Sequence, residues 1–350
     1  AAERREGPPY EPYDTYLLPY IDKSPAHGTM AAVSATVPEH IATPEQLELA
    51  LVLKGEPALR DDEIVYARIY PTRAGKDNPP SAFVSGPLSK WSPERRDDGT
   101  VALRLGGFKL PEYGGEFSGR IEYGVYGRTA ARNQPVPFAI APRPFPGADR
   151  PFQVAREAKP DGATVTVDGK PFFPTFLSVF YERVPTGLEG SDSPITVREF
   201  LAGGMSNEWW VGPDRYDFSA IDARISKIIR EYPKAYIAAW VWCQPPHWYD
   251  EAHPDRISKQ SDGKVFPYYV STVTFSDPEY RKDAARAIRA FVEHCEKYFG
   301  NKMLAYNLSG GISLEWQGWG CHSQAQRKVL NDYSPAAQRD FKAFAAERYP

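Results

Sequence analysis

The spacing of apolar residues changes once along the chain, and that change limits the folds open to it. Between residues 30 and 142, the runs 47–54, 64–70, 100–105, 119–126 and 136–141 are short and alternate apolar with polar positions. Clusters of Gly, Pro, Asn and Asp separate them. This is the pattern of half-buried strands joined by tight turns. Five such strands with no helical stretch between them predict a β-sandwich domain over 30–142. An extended N-terminal segment (1–29) rich in Pro, Tyr and charge precedes it, and a linker (143–163) that opens on a proline-rich stretch follows. With 350 residues, 42% of them hydrophobic, the chain has material for a core in each of two domains.

From residue 164 the pattern alternates strand and helix. Residues 164–167, the Asp168-Gly169 pair and Phe172 predict a hairpin, and the apolar run 172–180 has the composition of a strand buried on both faces of a parallel sheet. Thr196 with Glu199 reads as a capping box opening a short helix that stops at Gly203-Gly204, and 205–210 read as the next strand. Ser219 and Asp222 open a helix striped by Ile221, Ile225, Ile228, Ile229 and Tyr232, and 235–242 form a third strand. Ser276-Asp277-Pro278 starts a long helix with Tyr280, Ala284, Ala287, Ile288, Phe291, Val292, Cys295 and Phe299 at helical spacing. A fourth strand at 302–308 and a helix from Ser334-Pro335 close the series.

Four strand-helix units call for a parallel sheet with right-handed crossovers. The long loops after the strands favour an α/β fold of the (β/α)8 TIM-barrel type over an open sheet. A complete barrel takes about 250 residues, and about 185 remain from 164 onward. The expectation is therefore a catalytic domain at 164–350 carrying the first four units. No glycine-rich phosphate loop stands at any strand-to-helix turn, which removes a dinucleotide site.

Composition narrows the partners. The net charge is −3, and no basic run interleaves with aromatics, which argues against nucleic acid. No apolar run is long enough to span a bilayer, so no membrane partner is expected. The Ala1-Ala2-Glu3 start reads as a secreted or periplasmic protein after signal-peptide removal, or equally as a trimmed chain. Three cysteines are too few for a disulfide framework. Cys243 and Cys321 each follow a strand and could meet on one face, whereas Cys295 falls on a helix's apolar side. His247 and His253 lack metal-ligand spacing, so neither metal nor organic cofactor is expected. Oligomeric state is not legible.

Seven of the eight tryptophans lie between Trp209 and Trp319. On a barrel, the loops after the strands share one mouth. That rim would carry Tyr181 and Glu182 after strand one, and Glu208, Trp209 and Trp210 at strand two. Trp242, Gln244, His247 and Trp248 would follow strand three, and Glu315, Trp316 and Trp319 strand four. Sugar rings stack their C–H faces on indole, and a positioned carboxylic acid can protonate a glycosidic oxygen. Carbohydrate is thus the expected partner, bound by Tyr181, Glu182, Glu208, Trp209, Trp242, His247, Trp248, Trp316 and Trp319, with Glu315 as the catalytic acid. The competing reading makes the tryptophans core or surface bulk.

Several of these segments resemble family 42 β-galactosidases and their relatives in glycoside hydrolase clan A. They are Tyr216-Asp217-Phe218-Ser219-Ala220-Ile221-Asp222, Pro245-Pro246-His247-Trp248, His253-Pro254, Ser276-Asp277-Pro278-Glu279-Tyr280-Arg281 and Asp332-Tyr333-Ser334-Pro335. The likeness covers about 164–350. It implies a retaining β-glycosidase, with an acid/base glutamate after strand four, the position Glu315 matches, and a nucleophilic glutamate on a seventh strand beyond these four units. The expected substrate is a β-linked glycoside or a polysaccharide that the enzyme degrades. One departure stands out: the clan places Asn before the acid/base, and here Leu314 precedes Glu315. A carbohydrate-binding protein that kept the barrel scaffold and lost catalysis is the alternative this departure favours.

Overall fold

The computed structural model describes residues 26–71, 82–131, 134–149, 154–159, 162–174, 176–179, 196–202, 209–265, 273–309 and 332–349. The chain divides into two compact units. One comprises residues 1–72, 79–110 and 118–141; the other comprises 73–78, 111–117 and 142–350.

The described residues of the first unit form strands, with two short 3-10 turns at Pro44–Gln46 and Leu88–Trp91. The strands are β1 (Gly28–Thr36), β2 (Leu49–Glu56), β3 (Ile64–Pro71), β4 (Ala82–Pro87), β5 (Glu94–Arg95), β6 (Thr100–Leu105), β7 (Phe117–Val125), β8 (Arg128–Ala131) and β9 (Val136–Ile140). They form a five-stranded sheet in the order β5-β6-β2-β1-β8 and a four-stranded sheet in the order β4-β3-β7-β9. In the first, Leu49, Leu51 and Leu53 pair with Leu105, Leu103 and Val101, and all six are buried. In the second, Val65, Ala67 and Ile69 pair with Val125, Tyr123 and Ile121, again all buried. Alternation puts these side chains on one face of each sheet, so the sequence pattern alone sets which face is dry.

A buried ion pair joins the two sheets. The Arg128 guanidinium at the start of β8 donates from Nε to Glu63 Oε1 at 2.6 Å and from Nη2 to Glu63 Oε2 at 2.9 Å. Its remaining hydrogens go to the carbonyls of Thr29, Pro57 and Ala58. His27 Nε2 and the Arg60 amide complete the carboxylate's contacts at 2.9 and 2.7 Å. The Arg128 and Glu63 side chains are 0% and 3% exposed. Burial alone would raise the Glu63 carboxyl; Arg128, the Arg60 amide and His27 outweigh it and hold it down to about 2.

In the second unit, β10 (Val154–Lys159), β11 (Gly162–Val167) and β12 (Lys170–Phe172) form an antiparallel sheet. The expected hairpin is its second turn. Asp168 and Gly169 both take positive φ, 51° and 74°, as a two-residue hairpin turn requires.

A four-stranded sheet follows, in the order β13 (Phe176–Val179), β14 (Thr196–Ala202), β17 (Tyr236–Trp242), β18 (Met303–Ser309). Every pairing in it is parallel. Between β14 and β17 lie a small hairpin of β15 (Trp210–Gly212) with β16 (Arg215–Tyr216), and helix α1 (Ser219–Glu231). Between β17 and β18 lie α2 (His247–Ala252) and α3 (Pro278–Phe299), and α4 (Pro335–Arg348) comes last.

One element departs from expectation. Residues 196–202 form a strand, not a capped helix; of the run 205–210, residues 205–208 lie outside the described residues and Trp210 begins β15. A cap is worth about 1 kcal/mol, whereas here the backbone bonds to β13 on one side and β17 on the other. The tertiary ladder overrides the local signal.

The core of this unit packs α1 and α3 with the central strands. Ile221, Ile225, Ile228 and Ile229 of α1 join Ile237, Ala239 and Val241 of β17 and Tyr280, Phe291, Cys295 and Phe299 of α3. Asp222, read as a helix-start residue, is buried and holds long-range partners instead. It accepts from the Gly115 amide at 3.1 Å and lies 2.6 Å from His294 Nε2 on α3. Ser226, one turn on, accepts from the Tyr113 amide at 3.0 Å. Segment 111–117 is thereby pinned to α1.

Glu63→Gln should lower unfolding free energy by about 3–5 kcal/mol at pH 7, because it leaves Arg128 buried beside a neutral partner. Urea denaturation measures this. The carboxyl is depressed in the fold, so its contribution is present above the unfolded value and lost as pH falls toward about 2. The variant should therefore lose part of the wild type's acid-dependent decline below about pH 5.

Candidate functional site

Because the four strands run parallel, their C-terminal residues Val179, Ala202, Trp242 and Ser309 lie at one end of the sheet. The connections leaving that end hold the described residues of greatest chemical interest. Tyr181, Glu182, Glu208, Glu315, Trp316, Trp319 and Cys321 fall outside the described residues, so the structure does not place the expected acid or the second cysteine. The side chains of Trp242 and His247 are likewise outside the description; their backbones end β17 and begin α2.

The β17 exit is tightly bonded. The Cys243 amide donates to Ser309 O at 2.8 Å, which carries the β17–β18 ladder one step past its last pair. Ser309 Oγ donates to Val241 O at 3.3 Å. The hydroxyl of Tyr280, from the first turn of α3, donates to the Cys243 carbonyl. Burial pushes the Cys243 thiol up to about 11, so it is neutral and poorly nucleophilic at neutral pH. Gln244 is 5% exposed, and its Oε1 has no hydrogen-bond partner among the described residues. Pro246 then precedes α2, and its carbonyl accepts from the Tyr249 amide at 2.9 Å.

The chain that leaves β18 at Ser309 rejoins the described structure at Asp332. There Asp332 Oδ1 accepts from the Lys259 amide at 3.1 Å, and the Tyr333 amide donates to Lys259 O at 2.7 Å. Both ends of the segment bearing Glu315 are therefore bonded to the connection that follows β17.

The tryptophans divide between two roles. Trp209, expected at a sugar-binding mouth, is instead a core residue. It is 4% exposed, with its ring against Tyr216, Phe218 and Phe291 at centroid distances of 6.0, 6.0 and 5.8 Å. The surface a sugar would need is covered by protein. Trp248 is half-buried; its Nε1 donates to Trp210 O at 2.6 Å, and its ring meets Trp210 edge-on at 5.6 Å.

Trp210 and Trp248 line a small cleft with Asp214, Tyr216, Tyr249, His253, Asp283 and Arg286. Its volume is about 60 Å3, room for a few waters but not for a sugar ring. Its polar groups satisfy one another. Tyr249 donates to Asp283 at 2.8 Å and accepts from Arg256 at 2.6 Å, while Arg286 bridges Asp283 and Asp214 at 2.5 and 3.2 Å. Burial, then the Asp283 carboxylate, raises the Tyr249 hydroxyl's pKa, which keeps it a donor. Sequence reading had missed Tyr249, Asp283 and Arg286. The last two, three apart on a helix, were open to detection as a surface ion pair.

Among the described residues no group of three or more His, Cys, Asp or Glu could hold a metal ion. No described helix is long and apolar enough to cross a membrane. Cys295 is fully buried in the core, as its place on the helix implied.

With this geometry in view, comparison with known proteins adds one firm result. Residues 212–350 match the glycoside hydrolase 42 family model, described as β-galactosidase. The span includes β17, its connection, α3, β18 and Glu315, and the likeness read in the sequence motifs holds across it. No curated protein matches the chain. A calcium-binding mutant of Bacteroides uniformis β-glucuronidase 2 aligns with 87% of this chain at 9% identity and a TM-score of 0.23. The present chain spans 29% of its length.

Replacing Trp209 with Ala should cost about 3–5 kcal/mol of stability, the cost of emptying a buried aromatic site. Trp248→Ala, at a half-buried ring, should cost clearly less. Chemical denaturation of the two variants compares them, and equal losses would place Trp248 in the core as well.

Proposed function

We propose that the chain carries part of a glycoside hydrolase that cleaves β-linked sugars, with Glu315 as the general acid/base of a retaining mechanism. The observation that carries this reading is the family match across 212–350, described as β-galactosidase. The sheet supports it: four parallel strands stand in sequence order, as in the first half of a (β/α)8 barrel, with the connections leaving one end.

In the proposed reaction, Glu315 in its protonated form donates to the leaving oxygen while a second carboxylate attacks the anomeric carbon. Glu315 then takes a proton from the water that releases the sugar. Such an acid needs a pKa raised toward the working pH, by burial or by a neighbouring carboxylate. Trp316 and Trp319, close to Glu315 in the sequence, are proposed to exclude water from it. Trp242, His247 and Trp248, on or beside the β17 exit, are proposed to shape the sugar site together with Tyr181, Glu182 and Glu208. Galactosides are the first substrates to test.

A non-catalytic carbohydrate-binding protein is the second reading, and Leu314, where the clan has Asn, is the observation that favours it. Turnover separates the two. The full protein that carries this chain together with the nucleophile should release nitrophenol from 4-nitrophenyl β-galactoside and sugar from an unactivated β-galactoside. Glu315→Gln should lower kcat on the unactivated substrate by about 10²–10⁴-fold and much less on the aryl glycoside, whose leaving group needs little protonation. Equal activity of the variant on both would remove Glu315 from the acid role. Sugar binding without release by the wild type would favour the second reading.

A further inference from the structure

The segment Ser276-Asp277-Pro278-Glu279-Tyr280-Arg281 belongs to the motifs that carry the family likeness, yet none of its residues takes part in the chemistry proposed above. The structure gives it a task. Asp277 caps α3 by accepting from the Tyr280 amide at 2.8 Å, and Pro278 occupies the first turn, where a missing N–H costs nothing. This start fixes Tyr280 one turn into α3. Its side chain is 1% exposed and wedged edge-on against Tyr249 at 5.5 Å and beside Phe275 at 5.9 Å. From there its hydroxyl reaches the carbonyl of Cys243, the first residue past β17.

We infer that Tyr280 is a positioning residue for the connection 243–249, holding Gln244, His247 and Trp248 at the end of the parallel sheet. The inference rests on the glycosidase reading only for what the held loop does. Both backbone polar groups of Cys243 are engaged, the amide with Ser309 of β18 and the carbonyl with Tyr280 of α3. Pro245 and Pro246 have no N–H to donate, and further along, the loop is held by Trp248 Nε1 on Trp210 O and by the Tyr249 amide on Pro246 O. Tyr280 is therefore the side chain that ties the loop's first carbonyl to the helix behind it. Burial keeps the phenol protonated, so the donor persists at every physiological pH. A part-buried carbonyl deprived of its donor is costly to leave in place, and the loop relieves that cost by shifting.

Tyr280→Phe keeps the ring and removes the hydroxyl. In hydrogen exchange, the amides of Cys243, Gln244 and Tyr249 should exchange about tenfold faster than in wild type, with β14 and the C-terminal half of α3 little changed. Toward a β-galactoside, KM should rise several-fold more than kcat falls, as expected when binding groups lose their placement. Phe291→Ala, which opens the core far from the hydroxyl, should instead raise exchange throughout the unit. Unchanged exchange in Tyr280→Phe, or a uniform rise like that of Phe291→Ala, would overturn the positioning role. If the full protein that carries the nucleophile cleaves no glycoside, the glycosidase reading fails, while the exchange result on this chain still decides whether Tyr280 holds the loop.

Discussion

Strand β17 is hydrogen-bonded along both edges, and the register of those two ladders is the constraint on which the second unit depends. Val241 stands opposite Ala202 on one side and Trp242 opposite Ser309 on the other, so three strand ends finish at one level. A slip of one residue would turn every side chain of the strand to the other face and would carry Ile237, Ala239 and Val241 out of the core they share with α1 and α3. Core packing therefore fixes the register, and the register fixes where each connection begins. The Cys243 amide, bonded to Ser309 O, extends the alignment past the sheet itself.

Much of this was legible in the sequence. The strands of the first unit were readable because each buries one face, so that Leu49, Leu51 and Leu53 alternate with less buried neighbours. Helices α1 and α3 were readable because their apolar residues recur at helical spacing, and Ser334 caps α4 by accepting from the Ala337 amide at 3.2 Å. Strand β14 was misread because Thr196 and Glu199 satisfy a local helix signal, while the pairing that decides the matter comes from Tyr236 and its successors, some forty residues on. Trp209 was misread for a related reason. Its position near a strand end is visible locally, but the rings that cover it come from Tyr216, Phe218 and Phe291.

The buried polar ties were not legible at all. Glu63 and Arg128 are 65 residues apart, and Asp222 and His294 are 72 apart; each residue taken singly looks like an ordinary solvated charge. Their structural roles follow from desolvation. Once buried, each group needs its partner, and meeting that need fixes the geometry of the connections around it. In the same way the cleft beside Trp248 looks functional from its residue types, yet its acids and arginines are engaged with one another.

The account's central claim is that the sheet's common end serves a retaining glycosidase, and the stereochemistry of the first-formed sugar tests it most directly. Proton NMR of a β-galactoside during the first minutes of hydrolysis, before mutarotation, distinguishes the anomers. The account predicts that the β-anomer of galactose appears first. Initial release of the α-anomer would contradict the retaining mechanism, and absence of any sugar released across a panel of β-glycosides by the full protein that carries the nucleophile would contradict the glycosidase assignment.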